Sequence, residues 1–176
     1  MTEAWNRKVV ENQFVEKDGK WTVAWADFEE KLKEVDLFIL CSPHNPLGIV
    51  WTEEELRRMM ELCLQYHVPV VSDEIHSDLI FHGKKHIPTA SLSPEIAANV
   101  ITGISGTKTF NLAGLQASTV VFPDHHKKEV FDHFWQCMDI HRNNAFSLTA
   151  MEAAFNHGEE WLEQLLPYLS ANFDYV

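Results

Sequence analysis

The stretch Gly103-Ile104-Ser105-Gly106-Thr107-Lys108-Thr109-Phe110-Asn111-Leu112-Ala113-Gly114 sets a lysine among small and hydroxyl residues, just after the apolar run at 100–104. The run predicts a short buried strand, so Lys108 emerges where that strand ends and the chain turns. A lysine amine is a poor nucleophile at its free pKa of about 10.4, but desolvation or a neighbouring positive charge lowers that pKa and permits Schiff-base formation. Because solvated loop lysines are also common, the interpretation depends on the segments upstream.

The composition is that of an ordinary globular protein. The 176 residues are 45% hydrophobic and 23% charged, which is enough for one substantial domain. The net charge of −12, with scattered Lys and Arg, excludes nucleic acid and anionic membrane surfaces as partners. No run resembles a membrane span or a signal peptide, which predicts a cytoplasmic protein. Cys41, Cys63 and Cys137 lack Cys-x-x-Cys spacing and are predicted to be reduced thiols, mostly in the core.

Alternating segments predict the fold. Asp18-Gly19 predicts a tight turn between two extended segments, and residues 27–35 predict a short amphipathic helix. Apolar runs at 36–41, 68–72, 100–104 and 117–122 predict strands, the first of them buried on both faces. Between the first two, Thr52 and Glu55 form a capping box that begins a helix running to about His67. Strand, helix, strand, short helix, strand predicts an α/β domain with a mainly parallel sheet.

The remainder of the chain is predicted to be helical. Ser93-Pro94 begins a short helix before the third strand. Asp124 caps a helix with one apolar side, Ser147 begins another that ends near Gly158, and a third runs to about Leu169, with Pro167 breaking or kinking its end.

Three polar side chains follow three of the predicted strands. Asn45, Asp73 and Lys108 each lie just past a strand's carboxyl end, which is where open α/β sheets bind ligands. A lysine, a buried carboxylate and an amide suit pyridoxal phosphate best: the lysine forms a Schiff base, the carboxylate holds the pyridine nitrogen protonated, and the amide donates to the phenolate oxygen.

Three motifs carry a resemblance to a known family. Asn45-Pro46-Leu47-Gly48, the stretch Ser72-Asp73-Glu74-Ile75-His76-Ser77-Asp78-Leu79 and the lysine stretch through Gln116 resemble those of the pyridoxal-phosphate-dependent aminotransferase superfamily, class I/II, fold type I. The match is best to its cystathionine β-lyase branch, the MalY/PatB type of carbon–sulfur lyase. The resemblance implies a three-layer fold with helices on both faces of the sheet.

The resemblance also implies roles for single residues. Lys108 would bind the cofactor covalently and move the Cα proton, and Asp73 would pair with the pyridine nitrogen. Asn45 and His76 would bond the ring oxygen O3′, and Ser105 would contact the phosphate. Without the resemblance, Asp73 could be a cap, Asn45 a turn former, His76 a polar wall residue and Ser105 a partner of local backbone groups.

The resemblance covers the whole chain but only part of a family member. It implies that residues 1–176 are part of the large, cofactor-binding domain, without the family's N-terminal segment and C-terminal domain. Many aminotransferases have a phosphate-binding arginine where this chain has Gln116, a difference that favours the lyase branch. The resemblance also implies a homodimer that acts on a small amino-acid substrate, here a sulfur amino acid. The scattered histidines, including His82, His86, His125, His126 and His133, are predicted to be surface residues with no metal site.

Three functions stay open at this point. The first is β-elimination from a sulfur amino acid to pyruvate, ammonia and a thiol. The second is transamination by the same cofactor chemistry. The third is a non-catalytic α/β fragment that binds a partner or a complementing chain.

Overall fold

The structure, a computed structural model, describes residues 3–140 and 143–176. Strands and helices alternate over most of this length. The strands are β1 (Phe14–Lys17), β2 (Lys20–Val23), β3 (Phe38–Cys41), β4 (Val70–Asp73), β5 (Val100–Ile104) and β6 (Thr119–Val121). The α-helices are α1 (Trp25–Leu32), α2 (Glu53–Gln65), α3 (Pro94–Asn99), α4 (Gly106–Thr109), α5 (His125–Cys137), α6 (Ser147–His157) and α7 (Glu159–Tyr175).

The first two strands, β1 and β2, form an antiparallel hairpin. Asp18 and Gly19 form its turn, and both have positive φ, 53° and 73°. Asp and Gly are among the residues that tolerate this backbone conformation. The hairpin predicted from the Asp-Gly pair is therefore confirmed.

The main sheet has four strands in the order β3, β4, β5, β6. The first three are parallel, and β6 runs antiparallel to β5 at the far margin. The prediction of an α/β domain with a mainly parallel sheet is confirmed. All the predicted strands exist, although β6 is shorter than the segment predicted at 117–122.

The core lies between one face of this sheet and the helices α1, α2 and α3. The predicted stripe of α2 is almost fully buried, with Leu56 and Cys63 at 0% exposure. It packs against alternate strand residues such as Leu40, Val70 and Val100. Alternate side chains of the strands and the apolar stripe of α2 therefore pack together in one contiguous cluster.

The opposite face of β3 is open, contrary to the prediction of burial on both faces. Ile39 is 59% exposed, although its lateral neighbour Val71 is half-buried. The core formed with α1, α2 and α3 packs on the opposite face of β3, where Leu40 lies, and therefore does not cover Ile39. An apolar run therefore predicted the strand correctly but not the number of layers that cover it.

The helical second half departs from prediction in one detail. Helix α7 continues through Pro167 to Tyr175 instead of ending near Leu169. Pro167 and Glu163, whose carbonyl loses its helical partner, are both exposed, so water can bond that carbonyl. The apolar side of α5 is largely solvent-exposed, with Phe134 at 52%. No helix among the described residues is both long and apolar enough to cross a membrane.

The cysteines are free thiols in three different environments, so the prediction that they lie mostly in the core is wrong. Only Cys63 is buried, and burial raises its pKa to about 12. Cys41 is half-buried at the end of β3, and Cys137 is exposed on α5. A cysteine count cannot distinguish these environments, because they depend on tertiary packing.

The capping box of α2 gives a stability prediction. The Thr52 hydroxyl accepts from the Glu55 amide at 3.2 Å, and the Glu55 carboxylate accepts from the Thr52 amide at 2.9 Å. We expect Thr52→Ala to lower the free energy of unfolding by about 1 kcal/mol, because the side-chain acceptor is lost. Urea denaturation followed by circular dichroism measures this change. Thr52→Ser, which keeps the hydroxyl, is the control, and equal losses in both variants would contradict the capping assignment.

Candidate active site

The parallel register brings the ends of three strands into one row. Cys41, Asp73 and Gly103 are lateral neighbours on β3, β4 and β5. Side chains in such a row point to the same face, which here is the open face of the sheet. Asp73 is half-buried there, and its Oδ1 accepts from the Ile75 amide at 3.3 Å. The predicted position of Asp73, just past a buried strand, therefore places a carboxylate on this face.

The charges of Asp73 and Lys108 both affect the pKa of His76. Burial lowers the pKa of His76 below its ordinary value of 6.5, and the positive charge of Lys108 lowers it further. The Asp73 carboxylate acts in the opposite direction on the same pKa. The two charges therefore act on this imidazole in opposite directions, and its lowered pKa leaves it mostly neutral near pH 7.

Lys108 is exposed on the one-turn helix α4 rather than in an open loop. Next to it the sheet is bare, because Gly103 has no side chain. A Cβ added at Gly103 would meet only the Ser72 carbonyl oxygen within 4 Å, at 3.9 Å. The face beside the Asp73 carboxylate therefore has no side chain at position 103 and has room for at least one added carbon atom. A carboxylate, an amine and a flat open surface together fit the pyridine ring and aldehyde of pyridoxal phosphate.

Asn45 and Ser105 lie at the edges of this group. Asn45 is exposed in the turn after β3, and its backbone amide bonds the Cys41 sulfur at 3.4 Å. The Ser105 hydroxyl caps α4 by accepting from the Thr107 amide at 3.1 Å, and it donates to the Ala117 carbonyl at 2.6 Å. The single hydroxyl proton of Ser105 is therefore used in a bond to a backbone carbonyl. The contact of Ser105 with the phosphate stays a prediction.

A buried network on the other side of β4 escaped sequence reasoning. Glu74 is 2% exposed, and its carboxylate accepts from the Ser72 hydroxyl at 2.8 Å and the Thr89 amide at 3.0 Å. His86 Nε2 bonds the other carboxylate oxygen at 2.7 Å. Burial alone raises the pKa of Glu74, but the bonds from His86, Thr89 and Ser72 outweigh it and hold that pKa below its ordinary value.

His86 is therefore not a surface residue, which corrects the sequence prediction. Its side chain is only 12% exposed. The other four histidines of that group, His82, His125, His126 and His133, are exposed. His86 differs because a buried carboxylate requires a donor, and the pairing joins residues in a strand end and a distant loop. A charged residue directly after a buried strand was the signal available in the sequence.

The sequence of the chain matches a known protein family. The family model for aminotransferase class I and II matches residues 3–162, and the chain belongs to this family. It is 46% identical to the cystathionine β-lyase PatB of Bacillus subtilis over 99% of the chain and 46% of that protein.

Two solved structures of pyridoxal-phosphate-bound proteins are also similar to this chain. A pyridoxal-phosphate-bound candidate aminotransferase from Clostridium difficile is 47% identical and superposes with a TM-score of 0.96 over 99% of this chain and 45% of that one. The pyridoxal-phosphate-bound C-S lyase of Staphylococcus hominis is 31% identical, with a TM-score of 0.91 over 99% and 44% of the two chains. The chain thus spans less than half the length of these relatives.

The depressed pKa of Glu74 predicts an acid-sensitive contribution to stability. The group binds its proton more readily when unfolded, so its contribution is present above the ordinary pKa of 4.5 and is lost as the pH falls through the lower folded-state pKa. We expect the free energy of unfolding of Glu74→Gln to fall less than that of the wild type between about pH 6 and about pH 3.5. Urea titrations at each pH measure this, with the exposed Glu54→Gln as control. Parallel curves for wild type and Glu74→Gln would contradict the assignment.

The position of His76 gives a second prediction. We expect Lys108→Ala to raise the pKa of His76 and Asp73→Asn to lower it, because the two charges act on it in opposite directions. Imidazole carbon–proton signals followed by NMR against pH measure both shifts. The control is Lys84→Ala, which removes an exposed lysine elsewhere in the chain. An unchanged His76 pKa in Lys108→Ala would mean that the two side chains are not neighbours.

Proposed function

We propose that this chain is the cofactor-binding part of a pyridoxal-phosphate-dependent carbon–sulfur β-lyase acting on a sulfur amino acid of the cystathionine type. The observation that carries the proposal is the register of β4 and β5, which puts Asp73 at one strand end beside the strand end that leads to Lys108. The 46% identity to a cystathionine β-lyase supports the choice of reaction. When bound, pyridoxal phosphate supplies an electron sink for the charge left on Cα.

Each residue then has a defined task. Lys108 would hold the cofactor through its amine and, once displaced by substrate, take the Cα proton as a general base. Asp73 would hold a proton on the ring nitrogen through its carboxylate. His76, mostly neutral, would donate from a ring N–H toward O3′, together with the side-chain amide of Asn45. Ser105 would contact the phosphate only by giving up its bond to the Ala117 carbonyl.

The products follow from the substrate's leaving group. With a sulfur at Cβ, proton removal at Cα and departure of the thiolate yield pyruvate and ammonia after hydrolysis. Without such a group the same proton transfers lead to transamination. A transaminase is the second candidate function, favoured by the 47% identity to the candidate aminotransferase from Clostridium difficile.

The assembly and setting of the protein belong to the same proposal. We regard residues 1–176 as part of a large domain that the full-length protein completes, since the relatives are more than twice as long. A homodimer in the cytoplasm is proposed for that full-length protein. Exposed apolar side chains such as Phe134 and Phe155, at 52% and 60%, are consistent with further packing surfaces.

Cofactor attachment tests the proposal directly. We expect added pyridoxal phosphate to give a new absorbance band, and borohydride to fix the cofactor to the peptide that contains Lys108, because this lysine is exposed just after β5. The control, Lys84→Ala, should keep both signals, while Lys108→Ala should lose both. Equal labelling of exposed lysines in every variant, found by peptide mapping, would refute the cofactor site.

Product analysis separates the two reactions. With cystathionine and the loaded protein, pyruvate without added keto acid indicates elimination, whereas amino transfer that requires a keto acid indicates the transaminase. Lys108→Ala should lower whichever rate is found by about 10²- to 10⁴-fold, the contribution of a general base.

A further inference from the structure

The position of Lys108 depends on contacts outside its own helix. Helix α4 has four residues, Gly106–Thr109, and a single turn has no stability of its own in water. The Ser105 hydroxyl holds its first residues, and Gly106 lies so close to α6 that an added Cβ would meet the Phe155 ring at 2.9 Å. These contacts hold the beginning of the turn. Directly after the turn, the Phe110 ring packs against the Phe155 ring of α6, with the ring centroids 5.6 Å apart. These contacts attach α4 to α6, but they do not connect it to the segment 73–79 that carries Asp73 and His76.

One side-chain hydrogen bond connects α4 to the segment 73–79. The Thr109 hydroxyl donates to Asp78 Oδ2 at 2.8 Å, across 31 positions of sequence. Thr109 is 1% exposed, so its hydroxyl has little access to water as an alternative partner. Among the described residues, no other side-chain hydrogen bond joins α4 to the segment 73–79.

The two partners lie beside the site residues. Thr109 follows Lys108 directly, and Asp78 is two positions after His76. The backbone between His76 and Asp78 is itself held in a turn, where the Leu79 amide donates to the His76 carbonyl at 3.0 Å. A change at the Asp78 to Thr109 bond is therefore transmitted over few rotatable bonds to both sides of the site.

We propose that Asp78 and Thr109 form a positioning pair that sets the distance between the Lys108 amine and the His76 and Asp73 side chains. The pair touches neither substrate nor cofactor and acts through Lys108. The inference rests on the proposed function for its catalytic meaning, but its geometry can be tested without cofactor. A purely structural bond would lower stability when removed and leave the site's electrostatics unchanged.

Thr109→Val is the principal test because it keeps the β-branched shape and removes the hydroxyl. Released from Asp78, the Lys108 ammonium spends less time near His76, so the pKa of His76 rises above the wild-type value in an NMR titration. Attachment of pyridoxal phosphate at Lys108, trapped by borohydride, slows about tenfold, since small misplacements of a reacting group are costly. Thr109→Ser, which restores the donor, returns both values toward wild type.

Thr102→Val is the matched control. Thr102 is also a buried threonine near the site, but its hydroxyl has no partner among the described residues. Its replacement should leave the pKa of His76 and the attachment rate unchanged, because no hydrogen bond is lost. The comparison separates loss of this particular bond from the general effect of valine in the core.

A second pair of variants covers the case in which Thr109→Val does not fold. Asp78 is exposed, and both Asp78→Ala and Asp78→Asn remove its charge, but only Asn keeps an acceptor for Thr109. The His76 pKa is expected to be higher in Asp78→Ala than in Asp78→Asn.

The outcomes distinguish the two hypotheses. Equal His76 pKa values in the Asp78 pair, or wild-type values of both readouts in Thr109→Val, overturn the positioning pair. If the wild-type chain attaches no pyridoxal phosphate at Lys108, the proposed function fails, and the His76 titrations alone decide the positioning role.

Discussion

The in-register pairing of three parallel strands is the constraint on which the site depends. Phe38, Val70 and Val100 are lateral neighbours, and three residues later Cys41, Asp73 and Gly103 are neighbours in the same order. A slip of one residue in β4 would turn Asp73 toward the helices and Ser72 toward the open face. The buried Val70, at 1% exposure, opposes such a slip because the slip would bring it to the open face.

The same alternation gives two adjacent carboxylates opposite surroundings. Asp73 lies on the open face with room beside it, whereas Glu74 lies on the packed side and is surrounded by donors. The first carboxylate keeps lone pairs available for a ligand, and the second uses them to anchor the loop around Thr89 to the strand end. Successive side chains along extended backbone point to opposite sides, so Asp73 is available for chemistry while its neighbour Glu74 stabilises the structure.

Most of the fold could be predicted from local sequence patterns. Asp18-Gly19, the Thr52 to Glu55 box and the apolar runs act over a few residues, and each appears in the structure. Contacts between distant segments were beyond that reasoning. His86 with Glu74, and Thr109 with Asp78, depend on where loops return to the sheet. The exposure of Ile39 depends on which elements cover a strand, and no property of the strand itself encodes that.

The unpaired edge of β3 affects the tendency of the chain to self-associate at high concentration. Among the described residues β3 pairs on one side only, and Leu37 and Ile39 beside that free row of amides and carbonyls are 45% and 59% exposed. Such a margin is a template for any extended apolar segment, including the same segment of a second molecule. Self-association through this edge should therefore increase with protein concentration and decrease when another polypeptide covers the edge. The net charge of −12 opposes self-association.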